Sequence, residues 1–225
     1  MHTHKKVISK KHSLLVVMLL FCMQIGFGGV NDSISALKSG YDKAKVHLHA
    51  SRNLIDKHID SASLFLKKAK ELFPVITNYA SQKENRLKAE LLILEGDILV
   101  KVGKLNDAKL IFYDLLTRFK EHILIKENAD AYLQLGVISD YQSQPVAALK
   151  YYEKAYKIFD SLNYIKGTSE CFNNMGIIYY RQGEVDKGIE YLEKCLAIRK
   201  AAQESNSSIA VLLENLGSMY LNTAR

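Results

Sequence analysis

Three groups of side chains in this chain have types and spacing that could do chemistry. His47, His49 and His58, close to Asp56 and Asp60, are metal-ligand residue types within one short stretch. Residues two apart on a helix do not share a face, so His47 and His49 cannot both ligate one ion, and a solvated helix face accounts for them better. Cys171 and Cys195 are the two cysteines beyond the first thirty residues, where Cys22 is the third. In an oxidising compartment they could form a disulfide; equally, Cys195 stands where a small core residue is expected, and a buried free thiol would fill that place. Lys67, Lys68 and Lys70 form a short basic run without aromatic interleaving or a helix-turn-helix pattern, which reads as a solvated helix face and not as a nucleic-acid patch. No Gly-rich phosphate loop, Gly-x-Ser-x-Gly elbow, His-Glu-x-x-His helix or Cys-x-x-Cys pair occurs in the sequence. The expectation is a chain that is not an enzyme, with no cofactor, no metal and no evident small-molecule substrate.

The elements that would position such residues begin with the amino-terminus. Lys5, Lys6, Lys10 and Lys11 precede an apolar run from Leu14 to Met23, followed by Gly26, Gly28 and Gly29. That order of charged, apolar and small residues is that of a secretory leader, expected over residues 1–28, and it predicts an exported, periplasmic or cell-envelope protein. The alternative is an uncleaved anchor, since 14–30 is a mostly apolar stretch near the lower limit for spanning a bilayer. Phe21, ahead of Cys22, argues against lipidation there. The formal charge of the whole chain is +7, from 31 basic and 24 acidic residues. All the acids lie after residue 30, so removing the four leader lysines leaves +3. A nearly neutral body gives no reason to expect a nucleic-acid partner.

Beyond the leader the sequence repeats itself. Leu94-Glu95-Gly96, Gln134-Leu135-Gly136, Asn174-Met175-Gly176 and Asn215-Leu216-Gly217 recur at intervals of 40, 40 and 41 residues. Twelve residues after each of the first three glycines comes a small residue, Ala108, Ala148 or Gly188. Phe112, Tyr152 and Leu192 follow four further on, then Leu115, Ala155 and Cys195. Apolar residues at spacings of three and four mark amphipathic helices, so each copy predicts two antiparallel helices. Gly103 and Gly183 suit the turns of copies one and three, and Ser143-Gln144-Pro145 suits a helix start in copy two. Small residues at the crossing of two helices let the backbones approach, and one pair cannot bury its apolar face alone, so the pairs must stack.

These residues resemble the tetratricopeptide repeat. Phe172, Met175-Gly176, Tyr179, Gly188, Leu192 and Cys195 follow its pattern, as do Tyr132, Leu135-Gly136, Ala148, Tyr152 and Ala155. The period is longer than the usual form and is similar to repeats of kinesin light chains, cell-polarity adaptors and bacterial sensor proteins. The resemblance implies an all-α fold, an α-α superhelix of antiparallel pairs. It covers residues 86–225, with copies at about 89–128, 129–168 and 169–208 and a partial copy at 209–225. Residues 33–85 are expected as a degenerate first pair, with helices from Asp42 to Lys57 and from Asp60 to Ala80. The helix from Ile209 to Leu221 is apolar on several faces, which predicts either a longer protein or a partner at that end.

In this family the first helices of successive pairs line a concave groove. The corresponding residues are Glu90, Ile93, Asp97 and Lys101; Asp130, Leu133, Val137 and Tyr141; and Asn173, Ile177, Tyr180 and Arg181. The mixed stripe suits an extended peptide or a protein partner. Two functions follow as expectations: an exported, non-catalytic scaffold binding protein or peptide, or the extracytoplasmic input region of a sensor kinase or transcription regulator, with membrane linkage through the leader or a further segment.

Overall fold

The computed structural model describes residues 40–72, 82–119 and 125–223. The leader expected over 1–28 lies outside them. Nine α-helices and no strands make up the described residues, and none of these helices is long and apolar enough to cross a membrane. The chain divides into two compact units, one reaching Gly103 and the other starting at Lys104.

The first unit holds α1 (Gly40–Leu54), α2 (Ile59–Leu72) and α3 (Gln82–Lys101). The pair expected before residue 85 is present as α1 and α2, each starting one or two residues earlier than the spacing suggested; residues 73–81, where the second was expected to continue, lie outside the described residues. Ala62, Leu66 and Ala69 all face inward, against Ala44 and Leu48 of α1 and Leu87, Leu91, Leu94 and Ile98 of α3. The last four recur at intervals of four, three and four, so a single stripe of α3 closes this core. Ser51 Oγ donates to the Ala62 carbonyl at 2.7 Å, tying α1 to α2 inside it.

The second unit holds α4 (Leu105–Arg118), α5 (Ile125–Tyr141), α6 (Pro145–Ser161), α7 (Ile165–Arg181), α8 (Val185–Ala201) and α9 (Asn206–Thr223). Helices α5 and α6 form one pair, α7 and α8 the next, and α9 packs on α8. Helices α6, α7 and α8 each run 17 residues. They are separated by three-residue turns, so the forty-residue period is two half-periods of twenty.

The turns show why. Ser143, Asn163, Gly183 and Gln203 all have positive φ (57°, 50°, 83° and 54°), one every twenty residues. At each, the next residue's N–H reaches back five positions: Gln144 to the Ser139 carbonyl (2.9 Å), Tyr164 to Phe159 (2.8 Å), Glu184 to Tyr179 (3.0 Å) and Glu204 to Arg199 (3.1 Å). This is the Schellman closure, in which a left-handed residue turns the chain and satisfies carbonyls that the helix end leaves open. Only one of these four positions is a glycine. Pro145 then opens α6, as its place after the turn predicts.

Two cores fill this unit. Ala129, Leu133, Ala148, Tyr152, Ala155, Phe159, Cys171, Met175, Ile178 and Tyr179 form the one among α5, α6 and α7. Ile189, Leu192 and Cys195 of α8 meet Leu212, Leu216 and Met219 of α9 in the other. Between them α7 and α8 approach backbone to backbone. A Cβ on Gly176 would stand 2.9 Å from the Gly188 carbonyl oxygen, and one on Gly188 would stand 3.0 Å from that of Gly176.

Candidate functional site

The first helices of successive pairs in the second unit are joined side by side. Arg181 of α7 forms an ion pair with Asp140 of α5, and Asn222 Nδ2 of α9 donates to the Tyr180 hydroxyl of α7. These links hold the same end of all three helices, close to the turns where α5 and α7 finish. Between and beside them, Val137, Asn173, Ile177 and Tyr180 are half-buried and Tyr141 is 67% exposed. Asn173 Nδ2 donates to Asn174 Oδ1 at 3.3 Å.

The opposite end of the same helices, with the last turn of α8 and the turn that follows it, is ionic. Lys126 pairs with Asp130 at 2.8 Å, Lys166 lies 3.9 Å from Glu170, and Arg199 lies 3.8 Å from Glu204 while donating to Ser208 Oγ at 2.9 Å. Burial pushes the Glu170 carboxyl above the ordinary carboxylate range; Lys166 pulls it down, and Asp130 and Glu204 push it further up. Burial works against the Lys126 ammonium, but Asp130 outweighs it and the lysine is held above its usual value. Lys126 also stands 4.6 Å over the Tyr164 ring. The face thus offers ionisable groups at one end, an apolar and amide middle, and an aromatic and hydrogen-bonding end. That suits recognition of a chain segment by side-chain pockets, with main-chain polarity met by the amides.

Residues 168–225, covering nearly all of α7 with α8 and α9, match the family model of the tetratricopeptide repeat. The described residues as a whole have a tetratricopeptide-like helical-repeat fold. Its fold is similar to that of aspartyl phosphate phosphatase F from Bacillus subtilis, with a TM-score of 0.69 and 17% identity over 84% of this chain and 47% of the phosphatase. The chain therefore spans about half the length of that protein. It is similar also to the apo form of RapI (TM-score 0.66, 13% identity, 95% of this chain and 84% of that one). NprR in complex with its cognate peptide NprX is a third (TM-score 0.60, 14% identity, 98% and 63%). No curated relative matches the chain by sequence.

Against this repeat frame the expected groove residues separate. Val137 and Tyr141 lie on α5 and Asn173, Ile177, Tyr180 and Arg181 on α7, two helices linked through Asp140–Arg181, with Asp130 at the ionic end of α5. Leu133 does not join the open stripe: it is 6% exposed and belongs to the core among α5, α6 and α7, against which Val137, one turn on and on the same helix face, packs only partly buried. Glu90, Ile93, Asp97 and Lys101 lie on α3, in the first unit. There Ile93 is buried, Asp97 is half-buried, Glu90 faces Arg52 at 3.8 Å and Lys101 pairs with Asp56 at 2.7 Å. Asp140, Glu170 and Asn222 were not expected. Glu170 lies one period after Asp130, a signal that was available; the roles of Asp140 and Asn222 depend on lateral distances that no spacing along the chain encodes.

The chemistry-bearing groups also find their places. His47 is buried on α1, its ring 5.7 Å from that of Phe65, while His49 is half-buried and His58 exposed in the turn before α2. Among the described residues no three His, Cys, Asp or Glu side chains are gathered as a metal site would need. The disulfide considered for Cys171 and Cys195 is absent, and both thiols are free and buried. Cys171 is built into the core among α5, α6 and α7 and Cys195 into the core between α8 and α9, where its Sγ donates to the Ser169 carbonyl at 3.2 Å. Burial raises the pKa of both, which leaves them poor nucleophiles.

Proposed function

We propose that this protein is a non-catalytic scaffold that captures an extended peptide, or an extended segment of a partner protein, along the first helices of its second unit. One observation carries the reading: α5, α7 and α9 are linked side by side through Asp140–Arg181 and Tyr180–Asn222, and Val137, Tyr141, Asn173, Ile177 and Tyr180 lie on the first two of these joined helices. Helices already joined to one another lose less entropy on binding than helices that a ligand must first bring together. The likeness of fold to NprR, whose structure holds its cognate peptide, supports a peptide as ligand.

The exported location belongs to this proposal through the leader sequence, residues 1–28, and with it the finer reading of an extracytoplasmic input region in signal transduction. Fractionation of cells producing the tagged full-length chain tests it, and a tagged product that stays in the cytosol at its uncleaved mass would sink it.

The binding test uses peptides selected from a random displayed library on the full chain, then measured against the Tyr180→Ala/Arg181→Ala variant. Loss of affinity of roughly tenfold or more, with unchanged helicity, is the expected outcome. Equal affinity for the variant, or no peptide selected at all, would move the function off this face.

A further inference from the structure

The two units fill the junction between one helix pair and the next with different residues. In the second unit, Leu149 and Tyr156 of α6 and Met175 of α7 all belong to or pack against the core, and the Tyr156 ring stands 4.9 Å from that of Phe172. Ala62, Leu66 and Ala69 of α2 hold the register of Ala148, Tyr152 and Ala155, and Glu95 of α3 holds that of Met175. Counted the same way, Ser63 stands for Leu149 and Lys70 for Tyr156. A small polar residue and two charged ones thus replace three large side chains, and Lys70 Nζ donates to Glu95 Oε1 at 2.7 Å.

The exchange leaves a cavity of about 530 Å³ between α2 and α3, within the usual size of a small-molecule site. The second unit fills the same place with side chains of its own two helices, so the cavity follows from the three residue types. Leu66 and Ile98, both buried, and Leu99, half-buried, give it an apolar floor. Lys67 and Glu71 stand at its rim, one turn apart on α2. Both are exposed, and neither joins an ion pair among the described residues. Of the basic run Lys67, Lys68 and Lys70, the first and last therefore line the cavity, while Lys68 lies 5.8 Å from the centre of the Phe65 ring.

We propose that this cavity binds a free α-amino acid with a large apolar side chain, of the size of leucine or phenylalanine. The floor takes the side chain, Lys67 the carboxylate and Glu71 the ammonium. Residues one turn apart on a helix have Cβ atoms about 5–6 Å apart, which suits two charges carried on one α-carbon; the two termini of a peptide lie further from each other. A fatty acid would set its carboxylate beside Glu71 and Glu95, and an alkylamine would set its ammonium beside Lys67 and Lys70. Each would meet a like charge and leave a rim charge of the other sign unanswered, whereas the zwitterion answers both. The site belongs to the first unit and is separate from the peptide stripe of α5 and α7.

The test is isothermal titration of the full chain with L-leucine and L-phenylalanine. Saturable binding of at least one is expected, with a loss of roughly tenfold or more for N-acetyl-leucine and for leucinamide, each of which lacks one of the two charges. Lys67→Gln and Glu71→Gln replace exposed residues and leave the fold intact, and each weakens binding by a similar factor. Ser63→Leu puts into α2 the residue type that Leu149 supplies in α6; it fills the cavity, keeps helicity and abolishes binding. The Tyr180→Ala/Arg181→Ala variant binds the amino acid as the wild-type chain does, which separates this site from the stripe. No saturable binding of either amino acid overturns the proposal, as does equal affinity for the two derivatives or tighter binding of octanoate. Unchanged affinity in the Ser63→Leu chain, or in both glutamine variants, overturns it as well.

Discussion

Gly136 and Tyr152 occupy one space: a Cβ on the glycine would stand 2.4 Å from Cε1 of the tyrosine, a distance that real carbon contacts do not reach. Tyr152 is only 1% exposed and sits in a closed core, so its ring has nowhere to retreat. Gly136→Ala is therefore expected to destabilise the second unit by about 1–3 kcal/mol by overpacking, and Gly176→Leu by more, since it drives α7 from the α8 backbone. Gly217→Ala, with open space around it, should raise stability by about 1 kcal/mol through helix propensity alone. Thermal or urea unfolding of the three variants checks the order. Equal midpoints for Gly136→Ala and Gly217→Ala would show that the pair does not close as described.

The left-handed turns make a second expectation, of opposite sign at different positions. Ser143 and Gln203 hold φ of 57° and 54° with a side chain that clashes in that region, whereas Gly183 does so without strain. Ser143→Gly and Gln203→Gly should each stabilise by about 1 kcal/mol, and Gly183→Ala should destabilise by about as much. Denaturant midpoints are the measurement. Destabilisation in both glycine variants would mean that unfolded-chain entropy outweighs turn strain here.

The forty-residue period was legible because it is written in residue size: glycine or alanine where helices cross, Tyr152 or Leu192 where the space must be filled. The twenty-residue half-period was hidden. A left-handed turn announces itself in sequence only when it is a glycine, and Ser143, Asn163 and Gln203 are not. The stripe was legible as a helix face, yet a face read from spacing has soft edges. Leu133 lies one turn from Val137 on the same face, yet it is buried in the core that Val137 only partly covers. Asp140 and Asn222 could not be found, because which groups on neighbouring helices pair depends on tilt and offset. Those are products of packing summed over both cores, not of any local motif.

Burial governs the two thiols. Cys171 and Cys195 are both inaccessible, and burial lifts each above the ordinary thiol value, so little thiolate forms and none is presented to reagent. Iodoacetamide at pH 8 should leave both unmodified in the native chain and modify both in urea. Peptide mapping without reductant should recover them unlinked. Recovery of a peptide pair joined through Cys171 and Cys195 would show instead that α7 and α8 can turn these side chains toward each other, against their assignment to two separate cores.

His47 gives the first unit a pH dependence of definite sign. Its ring is 4% exposed against Phe65, Nδ1 has no hydrogen-bond partner, and burial, reinforced by the Lys68 ammonium, lowers its pKa from 6.5 to about 4. The unfolded chain therefore takes up a proton at a pH where the folded chain refuses it. For a base held below its unfolded value, the contribution to stability is complete above about pH 6.5 and is lost as pH falls towards 4. The loss is on the order of 3 kcal/mol. His47→Leu keeps the apolar contact with Phe65 and removes the proton-binding site, so its unfolding midpoint should be flat from pH 6.5 to 4, apart from the slopes of other groups. The wild-type chain should lose stability over the same range, monitored by hydrogen exchange of the α1 and α2 amides. Parallel profiles for the two chains would place His47 in contact with water in the folded state, and with it would go the close packing of α1 on α2.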